Sequence, residues 1–495
     1  MAIENVVPAS SGGATTTTVP LLINGKEIVT PTVFPVVSPD VGTGSIWQAS
    51  SASREDAVAA VNAARDAFPA WSLTKPAVRR TILLRAADLL EAHAAEYQAC
   101  MVQETGSGVG FAEFNLMTSR EIIRDCAGRI SGALSGTAPI CDDADTQALV
   151  VKEPYGVVLG IAPWNAPYIL GIRSVVYALA AGNTCVLKGS EVSPRCFWAI
   201  GALFREAGLP DGCLNVLYHR PADAADVTRS LIEHPAVRKI NFTGSTAVGR
   251  IISELAGRHL KPALMELGGK NNAIVCEDAN VAYAAQQCCL GAFLHAGQIC
   301  MSTERILVHK NVVDAFKVEL KKAIAAIFSE AAPAQPLALP GGYDKVAGLV
   351  QDAVAKGAGV FHGQAPAAAS SSTPSRTIHP IVLDGVTDQM DIYQTESFGP
   401  SVSLISVADD DEAVRIANDT DYGLSGAVFT EDLAKGLSIA RRIETGAVHI
   451  NSMSVHDEAG LPHGGVKNSG FGRFNADAGL NEFLKTKTIT FRPSK

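Results

Sequence analysis

The sequence predicts an α/β protein with two domains, each built on a mostly parallel sheet that helices cover on both faces. From about residue 155 to 265, apolar runs typical of strands alternate with helical segments. A second alternation of the same kind runs from about 270 to 450. The chain has 495 residues, which is too long for one compact core, so more than one domain is expected.

The first alternation is preceded by a helix and has clear start and stop signals. In "SREDAVAAVNAARDAF" (53–68), Ser53 and Asp56 have the spacing of a capping box. The strand-like run "GVVLGIAPW" (156–164) is followed by a helix that Gly182 closes, and the strand "TCVLKGS" comes next. A further helix has Ser193 as its N-cap and Pro194 at its first position. The strands "CLNVLY" and "VRKINFTGS" complete the pattern.

The second alternation starts with the strand "NNAIV" (271–275) and the helix "NVAYAAQQCCLGAFLHAG". The strand "RILVHK" and a long helix follow, and the strands "PSVSLISV", "SGAVFT" and "AVHINS" come later. Stretches rich in Pro, Gly, Ala or Ser at 331–344 and near 370 predict loops.

Composition excludes several classes of function. The net charge is −9 and no dense Lys/Arg stripe occurs, which argues against nucleic acid or an anionic membrane as the main partner. No run of about 20 apolar residues predicts a membrane span. The polar segment 1–19 has no signal-peptide pattern, so we expect a disordered tail and a cytoplasmic protein. The ten cysteines show no CxxC or zinc spacing, so reduced thiols and no metal site are predicted.

One cysteine, Cys300, stands in "FLHAGQICMSTER" directly after a Gly-Gln-Ile run. A lone cysteine is usually a buried, inert small hydrophobe. A nucleophilic cysteine needs a special microenvironment. The stretch by itself leaves both interpretations open.

Two strand ends carry residues suited to a nucleotide. "NFTGSTAVG" places Gly244, Ser245 and Gly249 at a strand-to-helix turn, where a helix N-terminus favours phosphate, although a plain tight turn has the same pattern. "VLKGSE" places Lys188 and Glu191 just past a strand, where an acidic side chain suits ribose hydroxyls, although a solvated loop charge is the alternative.

Two further motifs suit acid–base and oxyanion chemistry. In "MELGGKNN", Glu266 has apolar neighbours that predict desolvation and a pKa raised toward the range of a general base; an ordinary strand-end glutamate is the alternative. In "APWNAP", prolines stiffen the loop of Asn165, whose amide suits an oxyanion but is also common in turns. "ESFGP", with Glu396 and Phe398, and "LPHGGVKNSGFGR" read as loops when taken singly.

Taken in order, "PWN", "KxxE", "FTGSTxxG", "ELGGK", "GQxC", "ExFGP" and "GGxKxSGxGR" resemble the NAD(P)-dependent aldehyde dehydrogenase superfamily. The resemblance runs from about residue 20 onward, and it is strongest to the salicylaldehyde and vanillin dehydrogenase branch. It implies a Rossmann-type NAD-binding domain (20–133 and 155–265) and an α/β catalytic domain (266–466). It also implies a small β oligomerisation arm (134–154 and 481–495).

The resemblance implies a role for each motif residue. Cys300 is the nucleophile, the Asn165 amide and the Cys300 backbone N–H hold the oxyanion, and Glu266 activates the water that hydrolyses the thioester. The cofactor residues are Lys188 and Glu191 at the adenine ribose, Gly244, Ser245 and Gly249 at the pyrophosphate turn, Glu396 at the nicotinamide ribose, and Trp164 and Phe398 nearby. NAD is expected over NADP, because the charge of Glu191 repels a 2′-phosphate.

The resemblance also implies that Ile169 lines the aldehyde tunnel, and Arg173 is its i, i+4 neighbour on the same helix. Two interpretations of Arg173 stay open: contact with a ring hydroxyl of an aromatic aldehyde, or pairing with a carboxylate such as Asp457 or Glu458. Tyr168, Ile299, Met301 and His463 are expected to form the flat pocket around the ring.

Some positions depart from the family pattern. His295-Ala296 replaces the usual Asn-Gln pair, Gly189 is expected to loosen the ribose loop, and His463 stands where phenylalanine is frequent. These departures bear on substrate shape rather than on reaction type. The alternatives to an aldehyde dehydrogenase are a cysteine hydrolase that uses Cys300 with His295, and a non-catalytic protein that kept the fold.

The C-terminal stretch "FLKTKTITF" predicts a strand too isolated to be stable alone. The resemblance implies that it joins a partner subunit's sheet beside the arm from 134–154. A homodimer or a homotetramer is therefore expected.

Overall fold

The fold is known from a computed structural model that describes residues 18–40, 44–329, 331, 333–367 and 376–493. The predicted tail lies outside the described residues except for its last two positions. Most of the loop predicted near residue 370 lies outside them as well. No described helix is long and apolar enough to cross a membrane.

The strands form four sheets of three, eight, seven and two strands. In chain order they are β1 (Thr18–Val19), β2 (Leu21–Ile23), β3 (Lys26–Ile28), β4 (Val33–Val37), β5 (Ser45–Ser50), β6 (Gln147–Pro154), β7 (Val157–Ile161), β8 (Thr184–Lys188), β9 (Leu214–Leu217), β10 (Val237–Thr243), β11 (Ala263–Glu266), β12 (Asn271–Val275), β13 (Thr303–His309), β14 (Gly359–His362), β15 (Ile381–Asp384), β16 (Ser401–Val407), β17 (Gly426–Phe429), β18 (His449–Ile450), β19 (Gly470–Phe471) and β20 (Leu484–Phe491).

Helices fill the crossovers between these strands. They are α1 (Arg54–Leu73), α2 (Pro76–Ala92), α3 (Ala94–Thr105), α4 (Val109–Ala133), α5 (Pro167–Ala181), α6 (Pro194–Glu206), α7 (Ala224–Glu233), α8 (Thr246–Arg258), α9 (Val281–Phe293), α10 (Val313–Ile327), α11 (Gly342–Ala355), α12 (Asp391–Gln394), α13 (Asp410–Asn418), α14 (Leu433–Ala440) and α15 (Ala476–Glu482).

The predicted α/β class is confirmed by the two large sheets. The eight-stranded sheet has the order β19-β11-β10-β7-β8-β9-β2-β3, and β11, β10, β7, β8 and β9 are parallel neighbours. The seven-stranded sheet has the order β14-β15-β16-β13-β12-β17-β18, with only β14 antiparallel. Parallel strands carry all their carboxyl ends to one edge, so the motifs that end these strands meet there. The domain boundaries given above stay predictions.

Local sequence explains where key helices begin and end. Ser53 and Asp56 form the predicted capping box at α1, with both reciprocal hydrogen bonds present. Helix α5 begins at Pro167 and stops at Gly182, whose φ of 97° is left-handed. Every residue of α5 is buried, so this helix runs through the first core.

Strands β20 and β6 form a separate antiparallel pair over eight residues each. Most of β20 is exposed, including Ile489 and Phe491. The strand predicted from "FLKTKTITF" is therefore present, and it pairs with the chain's own arm.

Candidate active site

Residues from distant parts of the chain enclose one mainly apolar cavity of about 440 Å³, including the open space at its mouth. Its lining brings together the predicted residues Cys300, Asn165 and His463. The complete lining is Phe111, Phe114, Asn165, Ala166, Ile169, Leu170, Arg173, Ile299, Cys300, Met301, Val455, Asp457 and His463. Of the predicted substrate residues, Ile169, Arg173, Ile299, Met301 and His463 are in this wall.

The backbone before Cys300 is bent sharply and held firmly. His295, Ala296 and Gly297 have φ of 50°, 53° and 71°, a left-handed run that turns the chain back after α9. A Cβ at Gly297 would lie 2.2 Å from the carbonyl oxygen of Gly399, so glycine is required there. The amide of Asn271 donates to the carbonyl oxygens of Cys300 (2.8 Å) and Ser302 (2.9 Å). The position of Cys300 is therefore fixed by the hydrogen bonds and tight packing of the surrounding backbone.

The Cys300 thiol is not activated by its protein surroundings alone. Cys300 is partly exposed as a residue, yet burial of the thiol raises its pKa well above the usual range, and the negative charge of Glu266 raises it further. Arg173 acts in the opposite sense but does not reverse the shift. Burial and the charge of Glu266 therefore favour the neutral thiol over the thiolate.

Glu266, at the end of β11, is fully buried, and neither carboxylate oxygen has a hydrogen-bond partner among the described residues. The prediction of a raised pKa is wrong for this site. Burial does act to raise the pKa, but His463 and the charge of Arg173 outweigh it, so the pKa of Glu266 is lowered. The nearest basic atom is His463 Nε2, 3.8 Å from Oε1. Glu266 is therefore a carboxylate with free lone pairs, ready to accept a proton.

Asn165 lies in the loop after β7 and is 4% exposed. Its Nδ2 donates to the carbonyl oxygen of Gln298 at 3.0 Å. Gln298 is itself held, because its Oε1 accepts from the N–H of Ala338 at 2.9 Å. One N–H of the Asn165 amide is thus used for orientation, and its second N–H remains for an oxyanion beside Cys300.

Arg173 pairs with Asp457, one of the two carboxylates that the sequence offered as its partner. Both side chains are buried, and Asn475 Nδ2 donates to the other oxygen of Asp457 at 2.9 Å. Both members of the pair also line the cavity, and Arg173 Nε has no partner within the described part of the chain. The pairing therefore places a polar ion pair in an otherwise apolar wall.

The structure corrects the placement of Tyr168. Its ring is fully buried in the first core, stacked on Tyr97 at 5.7 Å, and its hydroxyl donates to the Tyr97 carbonyl oxygen at 2.8 Å. The aromatic walls of the cavity come instead from Phe111 and Phe114 of α4. Sequence reasoning missed these two, although "GFAEF" carries them three residues apart, the spacing of one helix face.

The predicted nucleotide residues lie along the carboxyl edge of the first sheet. Lys188 ends β8 and has no ion-pair partner among the residues described here. Ser245 caps α8 and accepts from the N–H of Val248, and Gly249 packs so closely on Leu267 that a Cβ would lie 2.5 Å from it. Gly189 does not loosen the loop as expected, because the Phe197 ring fills the space that its Cβ would take, at 2.3 Å.

A second group of predicted residues lies nearer Cys300. Glu396 Oε1 accepts from the N–H of Gly269 at 2.9 Å, and burial raises the pKa of Glu396 to about 7. Trp164 and Phe398 meet edge to face with ring centroids 6.0 Å apart. An unpaired cation at one strand end, a capped helix start and a carboxyl group near the nucleophile are the features that a dinucleotide needs, so the residues present fit NAD(P).

His295 is not placed to serve Cys300 as a base. Its ring stacks on Phe111 at 4.7 Å and is absent from the cavity wall. Burial lowers its pKa to about 3, and neither ring nitrogen has a partner in the described residues. The geometry therefore disfavours a Cys300–His295 hydrolase.

Comparison with known proteins agrees with this interpretation of the site. A family model described as the aldehyde dehydrogenase family matches residues 28–489. A vanillin dehydrogenase of Pseudomonas sp. (strain HR199 / DSM 7063) is 43% identical over 96% of this chain and 98% of that protein. A salicylaldehyde dehydrogenase of Pseudomonas sp. (strain C18) is 39% identical over 92% of this chain and 93% of that protein.

Among solved structures, a salicylaldehyde dehydrogenase from Pseudomonas putida G7 complexed with salicylaldehyde superposes with a TM-score of 0.92. It is 36% identical and covers 97% of this chain and 99% of its own. The likeness therefore extends over both large sheets and the arm.

Proposed function

This chain belongs to the aldehyde dehydrogenase family, and we propose that it oxidises hydroxylated aromatic aldehydes to carboxylic acids with NAD. It is an oxidoreductase that acts on aldehydes and uses NAD(P). The observation that carries the finer proposal is the cavity itself: an apolar, aromatic-walled space with Cys300 and the Arg173–Asp457 pair in one lining.

The first half of the reaction uses Cys300 and Asn165. The Cys300 thiol gives its proton to a water molecule in the cavity, and the thiolate adds to the aldehyde carbon to form a tetrahedral thiohemiacetal. The free N–H of Asn165 and the Cys300 backbone N–H hold the oxyanion; loss of one such donor typically costs about 10²–10³ in rate. NAD(P), when bound, supplies the acceptor for the hydride that leaves this carbon. A thioester on Cys300 remains.

The second half uses Glu266. Its carboxylate has no hydrogen-bond partner in the described chain, so it can accept a proton from water as the water oxygen attacks the thioester carbon. The C–S bond then breaks, the acid leaves, and Cys300 is free again. The lowered pKa of Glu266 keeps the carboxylate ionised but makes it a weaker base, so the proposed role depends on its unpartnered oxygens rather than on its basicity.

The Lys188 and Glu191 pair supports NAD over NADP. Glu191 stands three residues past the end of β8, and a carboxylate at a ribose repels a 2′-phosphate. We expect kcat/KM with NAD to exceed that with NADP at least about tenfold, as a repulsion of about 1.4 kcal/mol gives. Equal values for both cofactors, measured by absorbance of the reduced form, contradict this proposal.

The substrate class is tested by a panel of aldehydes. The relatives named above act, by name, on vanillin and salicylaldehyde, and an ion pair in an apolar wall suits a ring that carries a hydroxyl. We expect salicylaldehyde and vanillin to give higher kcat/KM than acetaldehyde. A short aliphatic aldehyde as the best substrate overturns the proposal.

Assembly into a homodimer or homotetramer is supported by the exposed β20–β6 pair. An isolated two-stranded sheet is marginal in water, and β20 exposes Ile489 and Phe491. Light scattering at assay concentration tests it, and a fully active monomer contradicts it.

A further inference from the structure

The side chain of His463 lies beside the buried carboxylate of Glu266. His463 is held by two backbone hydrogen bonds with Phe474, of 2.9 and 2.7 Å. Its Nε2 lies 3.8 Å from Glu266 Oε1. This nitrogen and both Glu266 oxygens are buried, and none has a hydrogen-bond partner among the described residues. A movement of about 1 Å brings Nε2 and Oε1 to hydrogen-bond distance.

The position of Glu266 creates a need for such a neighbour. Oxidation of an aldehyde by NAD and water releases two protons in each turnover. Glu266 is 0% exposed, so bulk solvent does not contact its carboxylate, and its proton must leave through a neighbouring side chain or a water inside the cavity. A buried base that stays protonated stops the next cycle.

Two further histidines contribute to the charges around His463. The rings of His449 and His456 lie 4.6 Å apart. His449 Nε2 is also buried without a partner in the described chain. Burial and the charges of His456 and His463 together lower the pKa of His449 to about 4. His456 Nε2 contacts Glu458 Oε1 at 2.8 Å, and Glu458 is exposed.

We propose that His463 accepts the proton from Glu266 after each turnover and passes it on to solvent. The inference rests on the proposed role of Glu266. In the step concerned, one water O–H bond breaks, the oxygen bonds to the thioester carbon, and the proton goes to Glu266. The C–S bond breaks with its electrons on sulfur, and the proton then moves from Glu266 to His463 Nε2.

The charges around His463 are compatible with this transfer. The groups that face it are Glu266, Arg173, Asp457, His449 and His456. Arg173 and Asp457 compensate each other as an ion pair. One proton shared between Glu266 and His463 therefore changes place with little change in the net charge of the cavity.

Two variants of His463 test the proposal. His463→Phe keeps a ring of similar volume without nitrogen, and His463→Gln keeps a polar side chain that cannot take up a proton. In both we expect the NADH burst of the first turnover to remain. Steady-state kcat near pH 7 should fall about tenfold or more. For comparison, a general acid or base typically contributes about 10²–10⁴-fold to a rate. The loss should shrink as pH rises, and added imidazole should restore the rate severalfold.

His259→Gln serves as the matched control, because His259 is exposed and lies outside the site. It should keep the wild-type kcat, pH profile and insensitivity to imidazole. NADH burst amplitude shows whether each variant is folded, and if one variant does not fold, the other decides.

Two results overturn the proposal: a wild-type kcat and pH profile in a folded His463 variant, or a loss of rate that neither imidazole nor higher pH relieves. The latter is the signature of a purely structural role. Failure of the proposed function is seen separately, in the aldehyde panel of the wild type, so the two failures are distinguishable.

Discussion

Two buried glutamates in this molecule have opposite surroundings. Glu304, in β13, accepts from Lys270 Nζ at 2.5 Å, from the Ser397 N–H at 2.8 Å and from the Phe398 N–H at 3.2 Å. Glu266 is as deeply buried, but neither of its oxygens has a partner in the described chain. One carboxylate holds the loop of Glu396 and Phe398 in place, and the other lies beside His463.

The difference in hydrogen bonding indicates different roles: Glu304 supports the structure, and Glu266 is available for proton transfer. A buried carboxylate that is fully hydrogen-bonded contributes to stability and is a poor base, since each lone pair is already used. A buried carboxylate left unpartnered costs stability and keeps its lone pairs for a reacting proton. Substitutions in the supporting region should therefore change stability, and substitutions in the cavity should change activity.

The largest effect is expected at Cys300. Cys300→Ala should fold and bind NAD but lose aldehyde oxidation by at least about a thousandfold, because no other residue forms the thioester. Steady-state NADH formation and NAD binding measure the two properties. More than about one per cent of wild-type kcat would falsify the nucleophile assignment.

Next in size is the supporting carboxylate. Glu304→Gln leaves Lys270 buried without a counter-charge, which should lower the free energy of unfolding by about 3–5 kcal/mol. Thermal and urea denaturation measure the loss. Glu254→Gln is the control, because its pair with Arg258 is exposed and its removal should cost less than about 1 kcal/mol. Equal losses of stability in Glu304→Gln and Glu254→Gln would show that the buried pair of Glu304 with Lys270 does not stabilise the fold as described.

Glu266→Gln should show the reverse pattern. Steady-state kcat should fall about a hundredfold or more, while the melting temperature should change much less than in Glu304→Gln, because neither oxygen of Glu266 accepts a hydrogen bond in the described chain. Rapid-mixing measurements should still show the NADH burst before the reaction stalls. Loss of the burst together with the steady-state rate places Glu266 earlier, in formation of the thiolate.

Arg173→Leu should have a smaller effect that depends on substrate. We expect kcat/KM for a hydroxylated benzaldehyde to fall about tenfold and that for benzaldehyde to change less, which narrows the preference. Because Asp457 is left unpaired, the double variant Arg173→Leu/Asp457→Asn is the control for lost stability. An equal fall for both aldehydes in the double variant speaks against a contact with the ring substituent.

The smallest effect is a shift in the titration of Cys300. The charge of Glu266 raises the pKa of this thiol, so Glu266→Gln should move the thiolate to lower pH. The rate of alkylation by iodoacetamide against pH measures the thiolate fraction. A midpoint that stays in place, or moves to higher pH, shows that the two side chains do not interact as described.

The sequence by itself determined the fold class and the reaction family. Strand and helix alternation, the Ser53 capping box and the Gly182 helix stop are local patterns. Each depends on residues close together in the chain, so the sequence alone is enough to recognise it. The first four motifs of the series work in the same way, since they follow the parallel strands β7, β8, β10 and β11, which bring their carboxyl ends to one edge.

Only the tertiary structure decided which residues meet in the cavity and how they titrate. All of α5 is buried, so no apolar stripe marks the face that carries Ile169 and Arg173 toward the cavity and turns Tyr168 into the core. The pKa of Glu266 depends on His463 and Arg173, which are far from it in the chain, and a raised pKa was the wrong prediction because desolvation alone was visible. Burial and charge act through space, and spacing along a sequence does not report distance across a fold.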